Sequence, residues 1–339
     1  GEDDDVDLST YTDLSAEGTA NCYLIQAAGN YKFKAVMGNS DYSVGNVKKT
    51  EVLWESFGTD VMPNVGDLVT GVGYKNGYVY FSTPAEFKNG NASIAVRNSK
   101  DVILWSWHIW CSEEGWNDHV YANNAGTMMD RNLGATSATP GDVGAFGLLY
   151  QWGRKDPFMG ASAKSGTSFV ASTGNWNVAS CSNKMDFAEE NPMTFATGWY
   201  GGGSVPGNGW HTSESEKGLY DPCPVGYRVP DGGENGFWAI ATNGWNSSIM
   251  EWTNSGFTWT LADGTTAAWY PAVGRRYYAS GALSTVGSYG YYWSASPNSY
   301  YAYNLGFNYN GHVSPSDYSS RANGLSVRCL QVIDEVAEP

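Results

Sequence analysis

The residues that could do chemistry in this 339-residue chain are few and scattered. His108, His119, His211 and His312 stand singly, not at ligand spacing. No His-Glu-x-x-His, Gly-x-Ser-x-Gly or phosphate-binding glycine loop occurs, so the zinc-peptidase, serine-hydrolase and nucleotide-binding templates fail. Glycoside hydrolysis asks only for two carboxylates. Glu189 with Glu190, or Asp231 with Glu234, could supply them, but nothing around either pair singles it out. Asp130 and Arg131 read as charges that satisfy loop backbone at a strand end. His108, alternating with Trp105, Trp107 and Ile109, reads as a structural strand histidine.

Five cysteines, at 22, 111, 181, 223 and 329, show neither C-x-x-C nor zinc spacing. Their odd number leaves at least one unpaired. Cys223 with Cys329 is the preferred pair, closing a loop of a size where a disulfide adds about 4–5 kcal/mol. Cys181 is the candidate odd thiol, and Cys22 and Cys111 fit buried free thiols that pack as small hydrophobes.

Aromatic residues are abundant, with 15 Trp and 23 Tyr. They concentrate between 289 and 318, interleaved with Asn and Ser. Aromatic faces stack on sugar C–H surfaces while Asn and Ser bind hydroxyls, and Tyr-rich surfaces equally suit protein ligands. The candidate ligand-binding residues are Trp293, Tyr300, Tyr301, Tyr303, Tyr309, His312 and Tyr318. Alternation puts Tyr303, Leu305 and Phe307 on one side, so part of this set packs inward. No metal or cofactor is expected.

The net charge of −15 makes nucleic acid and anionic membranes poor partners. No apolar run is long enough to span a membrane. Gly1 in place of Met is read as the start of a processed chain whose export signal lies outside it. Residues 1–19 read as a flexible tether from a membrane anchor, and 334–339 as a solvated tail.

Strand signals dominate. Asn76-Gly77 and Asp263-Gly264 mark hairpins, and Asn98-Ser99-Lys100-Asp101 joins strands 92–97 and 102–110. Short strands at this spacing predict an antiparallel β-sandwich over 20–115. A helix is expected over 144–152, N-capped by Asp142, and a short one over 233–242. The stretch 161–218 reads as a long loop, and strands follow at 290–294, 302–308 and 325–332, with Asn310-Gly311 turning between the last two.

Five ordered motifs carry a resemblance. They are Met129-Asp130-Arg131-Asn132-Leu133-Gly134-Ala135, Leu149-Tyr150-Gln151-Trp152-Gly153-Arg154-Lys155-Asp156-Pro157, Cys223-Pro224-Val225-Gly226-Tyr227-Arg228-Val229-Pro230, Tyr291-Tyr292-Trp293-Ser294 and Ser326-Val327-Arg328-Cys329. Together they resemble the Fibrobacter succinogenes major paralogous domain over roughly 121–332. That family implies a C-type-lectin-like fold related to formylglycine-generating sulfatase-modifying domains. The N-terminal segment, with Val52-Leu53-Trp54-Glu55-Ser56-Phe57-Gly58, resembles the sandwich ahead of this domain in secreted, lipid-anchored and fimbrillin-like proteins of gut Bacteroidetes.

The expected architecture is therefore two domains, an all-β sandwich followed by an α+β C-type-lectin-like domain over 116–333. The resemblance implies an exported, cell-surface or outer-membrane adhesin, non-enzymatic, recognising a glycan or a host or bacterial surface protein. The alternative is a structural or tip component of a fimbria or pilus. A carbohydrate-active or thiol-oxidising enzyme ranks third. Calcium lectins of this fold need converging oxygens, but Trp116-Asn117-Asp118 comes too early and Glu190-Asn191-Pro192 has its order scrambled. The related oxidases need two nearby cysteines, and Cys329 has no such neighbour.

Overall fold

Two four-stranded sheets open the chain in the computed structural model, which describes residues 5–164, 166–174, 176–181, 184–200, 209–210, 216–243 and 250–332. His211, the acidic residues 2–4 and the tail lie outside them. The strands are β1 (Thr12–Asp13), β2 (Cys22–Ile25), β3 (Asn30–Lys34), β4 (Lys49–Ser56), β5 (Thr70–Lys75), β6 (Tyr78–Ser82), β7 (Gly90–Arg97) and β8 (Ile103–Cys111). One sheet runs β1-β3-β6-β5, the other β2-β8-β7-β4. They face each other through Phe33, whose ring lies 5.0 Å from Tyr23 and 5.1 Å from Trp107. The Asn76-Gly77 hairpin forms as expected, with Lys75 opposite Tyr78 and positive φ at both turn residues.

Part of the stretch read as a tether belongs to this sandwich. Leu8–Thr10 forms a 3-10 turn, and β1 pairs in parallel with β3. Lys32 and Lys75 hold it by donating to the carbonyls of Leu8 and Val6, at 3.1 and 2.6 Å.

The remaining strands are β9 (Asp118–Val120), β10 (Thr127–Met129), β11 (Leu149–Tyr150), β12 (Asn177–Ser180), β13 (Thr194–Thr197), β14 (Tyr227–Arg228), β15 (Met250–Thr253) and β16 (Gly256–Thr260). They continue with β17 (Ala267–Pro271), β18 (Arg275–Arg276), β19 (Leu283–Ser284), β20 (Tyr289–Asn298), β21 (Tyr301–Asn308), β22 (Val313–Ser320), β23 (Leu325–Ser326) and β24 (Leu330–Gln331). The largest sheet here is β11-β23-β20-β21-β22, and a four-stranded sheet runs β14-β24-β10-β9. The only helices among the described residues longer than one 3-10 turn are α1 (Met185–Glu190) and α2 (Phe237–Thr242). The fold is thus mostly β, 39% strand against 6% helix. No described helix is long and apolar enough to cross a membrane.

Three further expectations are corrected. The stretch 161–218 is not one loop, since it holds β12, α1 and β13. The helix over 144–152 is a single 3-10 turn, Val143–Ala145, although Asp142 caps it by accepting from Gly144 N at 3.0 Å. Gly147 then takes φ +66 in a place where a Cβ would meet Leu133 O at 2.6 Å, so the chain turns and continues as β11. The last correction is β22, where the sequence predicts only a connection between the strands at 302–308 and 325–332. Ser-Pro-Ser-Asp-Tyr-Ser-Ser lacks the β-branched signature of a strand, and Pro315 is tolerated because β22 is an edge.

The sandwich and the rest of the chain share a wall. Strand β8 is buried on both sides, so its Ser106-His108-Trp110 face does not meet solvent. Ser106 Oγ donates to Asp156 at 2.6 Å, and Trp110 Nε1 donates to Ala135 O at 2.9 Å. Trp110 also stacks on Trp116 at 5.5 Å. Asn21 donates to the carbonyls of Leu219 and Asp221, both at 2.9 Å. One hydrophobic cluster runs from Ala20 through to Cys329, so the boundary expected at 115/116 is bridged by packing.

His108 sits in this wall as a structural histidine. Asn91 donates its amide to Gly134 O at 2.8 Å, which leaves Asn91 Oδ1 to accept from His108 Nε2 at 2.7 Å. Nδ1 is then the deprotonated nitrogen, buried without a partner. Burial holds the imidazole down at about 3. Because the folded value lies below the unfolded one, near 6.5, the neutral ring's contribution is fully present above 6.5 and is lost as pH falls toward 3. Urea titrations are expected to show up to about 1.4 kcal/mol lost per pH unit in that window from this group. In His108→Gln that component of the slope should vanish. An unchanged slope would show that other groups set the acid sensitivity.

Candidate ligand-binding surface

The hairpin β20–β21 carries the tip on which the candidate tyrosines gather. Asn298 pairs with Tyr301, leaving Ser299-Tyr300 as a two-residue turn with Ser299 at φ 53. Arg321, fully buried, fixes this turn from beneath. Its Nη2 donates to Ser299 O at 2.7 Å and its Nε to Tyr301 O at 3.1 Å, while the guanidinium lies 4.7 Å over the Trp152 ring. Register places Tyr303 directly opposite Tyr318 and Tyr301 opposite Ser320, so the three tyrosines share one face. Tyr300, Tyr301 and Tyr318 expose 59%, 44% and 54% of their surface, large values for tyrosine that make them accessible to a ligand. The Tyr301 and Tyr318 rings sit 5.2 Å apart. Tyr303 is half-buried because the Gly232-Gly233 loop lies over it; a Cβ on Gly233 would come within 3.2 Å of its ring.

The other sequence candidates fall elsewhere. Trp293 is fully buried, and its Nε1 donates to Tyr150 O at 2.6 Å, so it supports the sheet and is withdrawn from the ligand surface. Tyr309 and His312 are exposed at the far end of β21 and β22, an eight-residue strand away, on the order of 20 Å. The seven candidates thus do not form one surface. Sequence reasoning missed Arg321, because nothing in Ser320-Arg321-Ala322-Asn323 signals a guanidinium turned inward.

One carboxylate of each candidate pair, Asp231 and Glu189, is engaged structurally. Arg228 pairs with Asp231 at 3.1 Å. Glu189 accepts a short hydrogen bond from Tyr220, and burial raises its carboxyl above the usual range despite that bond. Asp130 accepts from Arg131 Nε at 2.8 Å and from Asn117 N at 3.2 Å; burial opposes its charge, but Arg131 holds it below the usual range overall. Trp116 rests on Tyr227, whose hydroxyl donates to Asp118 at 2.6 Å. Among the described residues no group of three or more His, Cys, Asp or Glu could hold a metal ion.

The disulfide Cys223–Cys329 is present, with Cα atoms 6.0 Å apart, so Cys329 offers no thiolate for oxidase chemistry. Cys22, Cys111 and Cys181 are free, and burial raises the thiols of all three. A cleft of about 660 Å³ lies between the sandwich and the 217–226 segment, lined in part by Lys34, Asn39 and Lys217. Lys217 is committed there to the carbonyls of Cys223 and Pro224 at 3.0 and 2.9 Å. Compared with protein-family models, curated proteins and solved structures, the chain matches none.

Proposed function

We propose that this is a non-enzymatic cell-surface binding protein of the adhesin type, a β-sandwich stalk fused to a C-type-lectin-like head. The head recognises a glycan or a protein ligand through Tyr300, Tyr301 and Tyr318. The observation that carries the reading is the tip itself: exposed Tyr300, Tyr301 and Tyr318 gather at the end of the β20–β21 hairpin, where a buried arginine holds the carbonyls of Ser299 and Tyr301. Rigid aromatic groups give large contact area with little entropy to lose on binding. The disulfide between distant segments suits an oxidising compartment, which supports export to the surface.

The test is binding of the purified protein to a glycan and mucin panel, repeated with a calcium chelator. Since the tip is built from rings and not from a carboxylate cluster, binding is expected to survive the chelator. Loss of binding on chelation would point to a calcium-bridged site and contradict this reading.

A further inference from the structure

A second set of aromatic side chains gathers around the opposite face of the same sheet, where Tyr291 stands opposite Gly306 and Tyr289 opposite Asn308. Tyr309 meets Tyr289 edge-on at 6.4 Å, and Tyr289 lies 6.0 Å from Tyr291 with the rings within 7° of parallel. Next comes Arg275, whose guanidinium is 5.2 Å from the Tyr291 ring and 5.7 Å from the Tyr277 ring. Tyr277 in turn contacts Tyr278 at 4.6 Å. Six side chains from three separate segments therefore form one continuous row. Tyr277, Tyr278 and Tyr309 are exposed, and the other three are partly so.

The row's base is rigid. Arg276 donates from Nε to Met159 O and from Nη1 to Gly281 O, both at 2.7 Å, and Asn323 accepts from Tyr278 N at 2.8 Å. The two adjacent arginines contrast sharply. Arg276 spends its donors on two backbone carbonyls and the Ser168 hydroxyl, whereas the Arg275 side chain has no hydrogen bond or ion pair among the described residues, and its Nε is buried without a partner. A guanidinium with a planar fork of donors, held between two rings and given no acceptor, is suited to a carboxylate or sulfate arriving from outside.

We infer that Arg275 and the tyrosines beside it form a second binding site, for an acidic oligosaccharide carrying a carboxylate or sulfate. A saccharide is favoured over an acidic peptide because β20, which carries Tyr289 and Tyr291, is paired on both sides. It offers a peptide no free strand edge for main-chain pairing. What it presents is ring faces and phenol hydroxyls around one cation, which match pyranose C–H faces, hydroxyls and an acid group. The net charge of −15 works against long polyanions. At physiological salt, however, distant exposed charges are largely screened, so a short ligand is governed by the local arginine. Asp317, which acts electrostatically on Tyr291 across Gly306, is the local charge that opposes the ligand.

The probes are a galacturonic-acid trimer, a chondroitin sulfate tetrasaccharide, the carboxyl-reduced neutral trimer and a glutamate hexapeptide. Each is titrated calorimetrically into the full chain, and the Arg275 Nε–Hε resonance is followed by NMR. At least one acidic saccharide is expected to bind about tenfold or more tighter than the neutral trimer and to shift that resonance. Arg275→Ala is expected to lose about the same factor, Arg275→Lys less, and Asp317→Asn to gain affinity. Melting temperatures of both Arg275 variants separate unfolding from lost recognition, and Tyr42→Ala, on the sandwich, is the control. Equal binding of neutral and acidic trimers, tighter binding of the peptide, no binding of either acidic saccharide, or a folded Arg275→Ala that binds normally would each overturn the inference. All of these outcomes leave the tyrosine tip untouched, since it lies on the other face and is tested on the panel.

Discussion

Removing the Cys223–Cys329 bond, by reduction or as the Cys223→Ala/Cys329→Ala pair, is expected to lower unfolding free energy by about 4–5 kcal/mol. The two cysteines are 106 residues apart, so the link removes much conformational freedom from the unfolded chain. It also joins two polar arrangements that are individually small. On one side the Asp221 carboxylate accepts from Cys223 N and Val229 N, both at 2.8 Å, closing the 221–230 turn. On the other, Arg328 donates to Asn132 Oδ1 at 3.0 and 2.7 Å and lies 3.9 Å over the Tyr270 ring. Urea unfolding with and without a reductant reads the effect. The buried Cys22 and Cys111 should stay unreactive until the chain unfolds. A loss below about 1 kcal/mol would show that packing alone holds these segments together.

Glu55→Ala should cost a comparable amount, about 3–5 kcal/mol. The residue is fully buried, yet its carboxylate answers several donors. Oε1 accepts from Leu68 N at 3.0 Å and Val69 N at 2.8 Å; Oε2 accepts from Gly66 N at 2.8 Å and from Ser172 Oγ at 3.4 Å. Truncation orphans three backbone donors at once, and each buried unsatisfied donor costs about 1–3 kcal/mol. Glu55→Gln should cost less, because one carbonyl oxygen survives, while its amide group now faces donors. Ser172→Ala, removing only the longest bond, should cost about 1 kcal/mol or less. Chemical denaturation of the three variants orders them. Equal losses for alanine and glutamine would mean that shape rather than donor satisfaction matters at this position.

Hairpin strands were legible because their turns carry backbone instructions. Asn76-Gly77 and Asp263-Gly264 force the chain back on itself whatever lies around them, and both hairpins form. The Cys223–Cys329 pair was legible as the preferred pairing, though spacing alone could not decide it. Glu55 was not, since a single carboxylate after Val52-Leu53-Trp54 reads as an exposed strand residue until the loop folds over it. The helix over 144–152 failed because its apolar spacing fits two structures, and glycines at 144, 147 and 153 decide between them. Of the candidate site, the cluster of tyrosines was visible but its division between two faces and two ends was not. That division depends on the bulges between Trp293 and Pro297 and between Asn304 and Gly306, which shift the register that alternation counts on. Arg321 and Arg275, which respectively brace the tip and cross the second row, carry no local signature at all.

The most direct test of the tyrosine tip is the affinity of Tyr301→Ala, Tyr318→Ala and the double variant for the strongest ligand found on the panel, measured calorimetrically beside Tyr42→Ala. Each exposed ring can be removed without opening the core, so melting temperatures should stay within a few degrees of the parent. Either single change is expected to weaken binding by about tenfold or more, as for a central aromatic anchor, with Tyr42→Ala unchanged. Parent-like affinity in the folded double variant would place recognition elsewhere on the molecule and contradict the account.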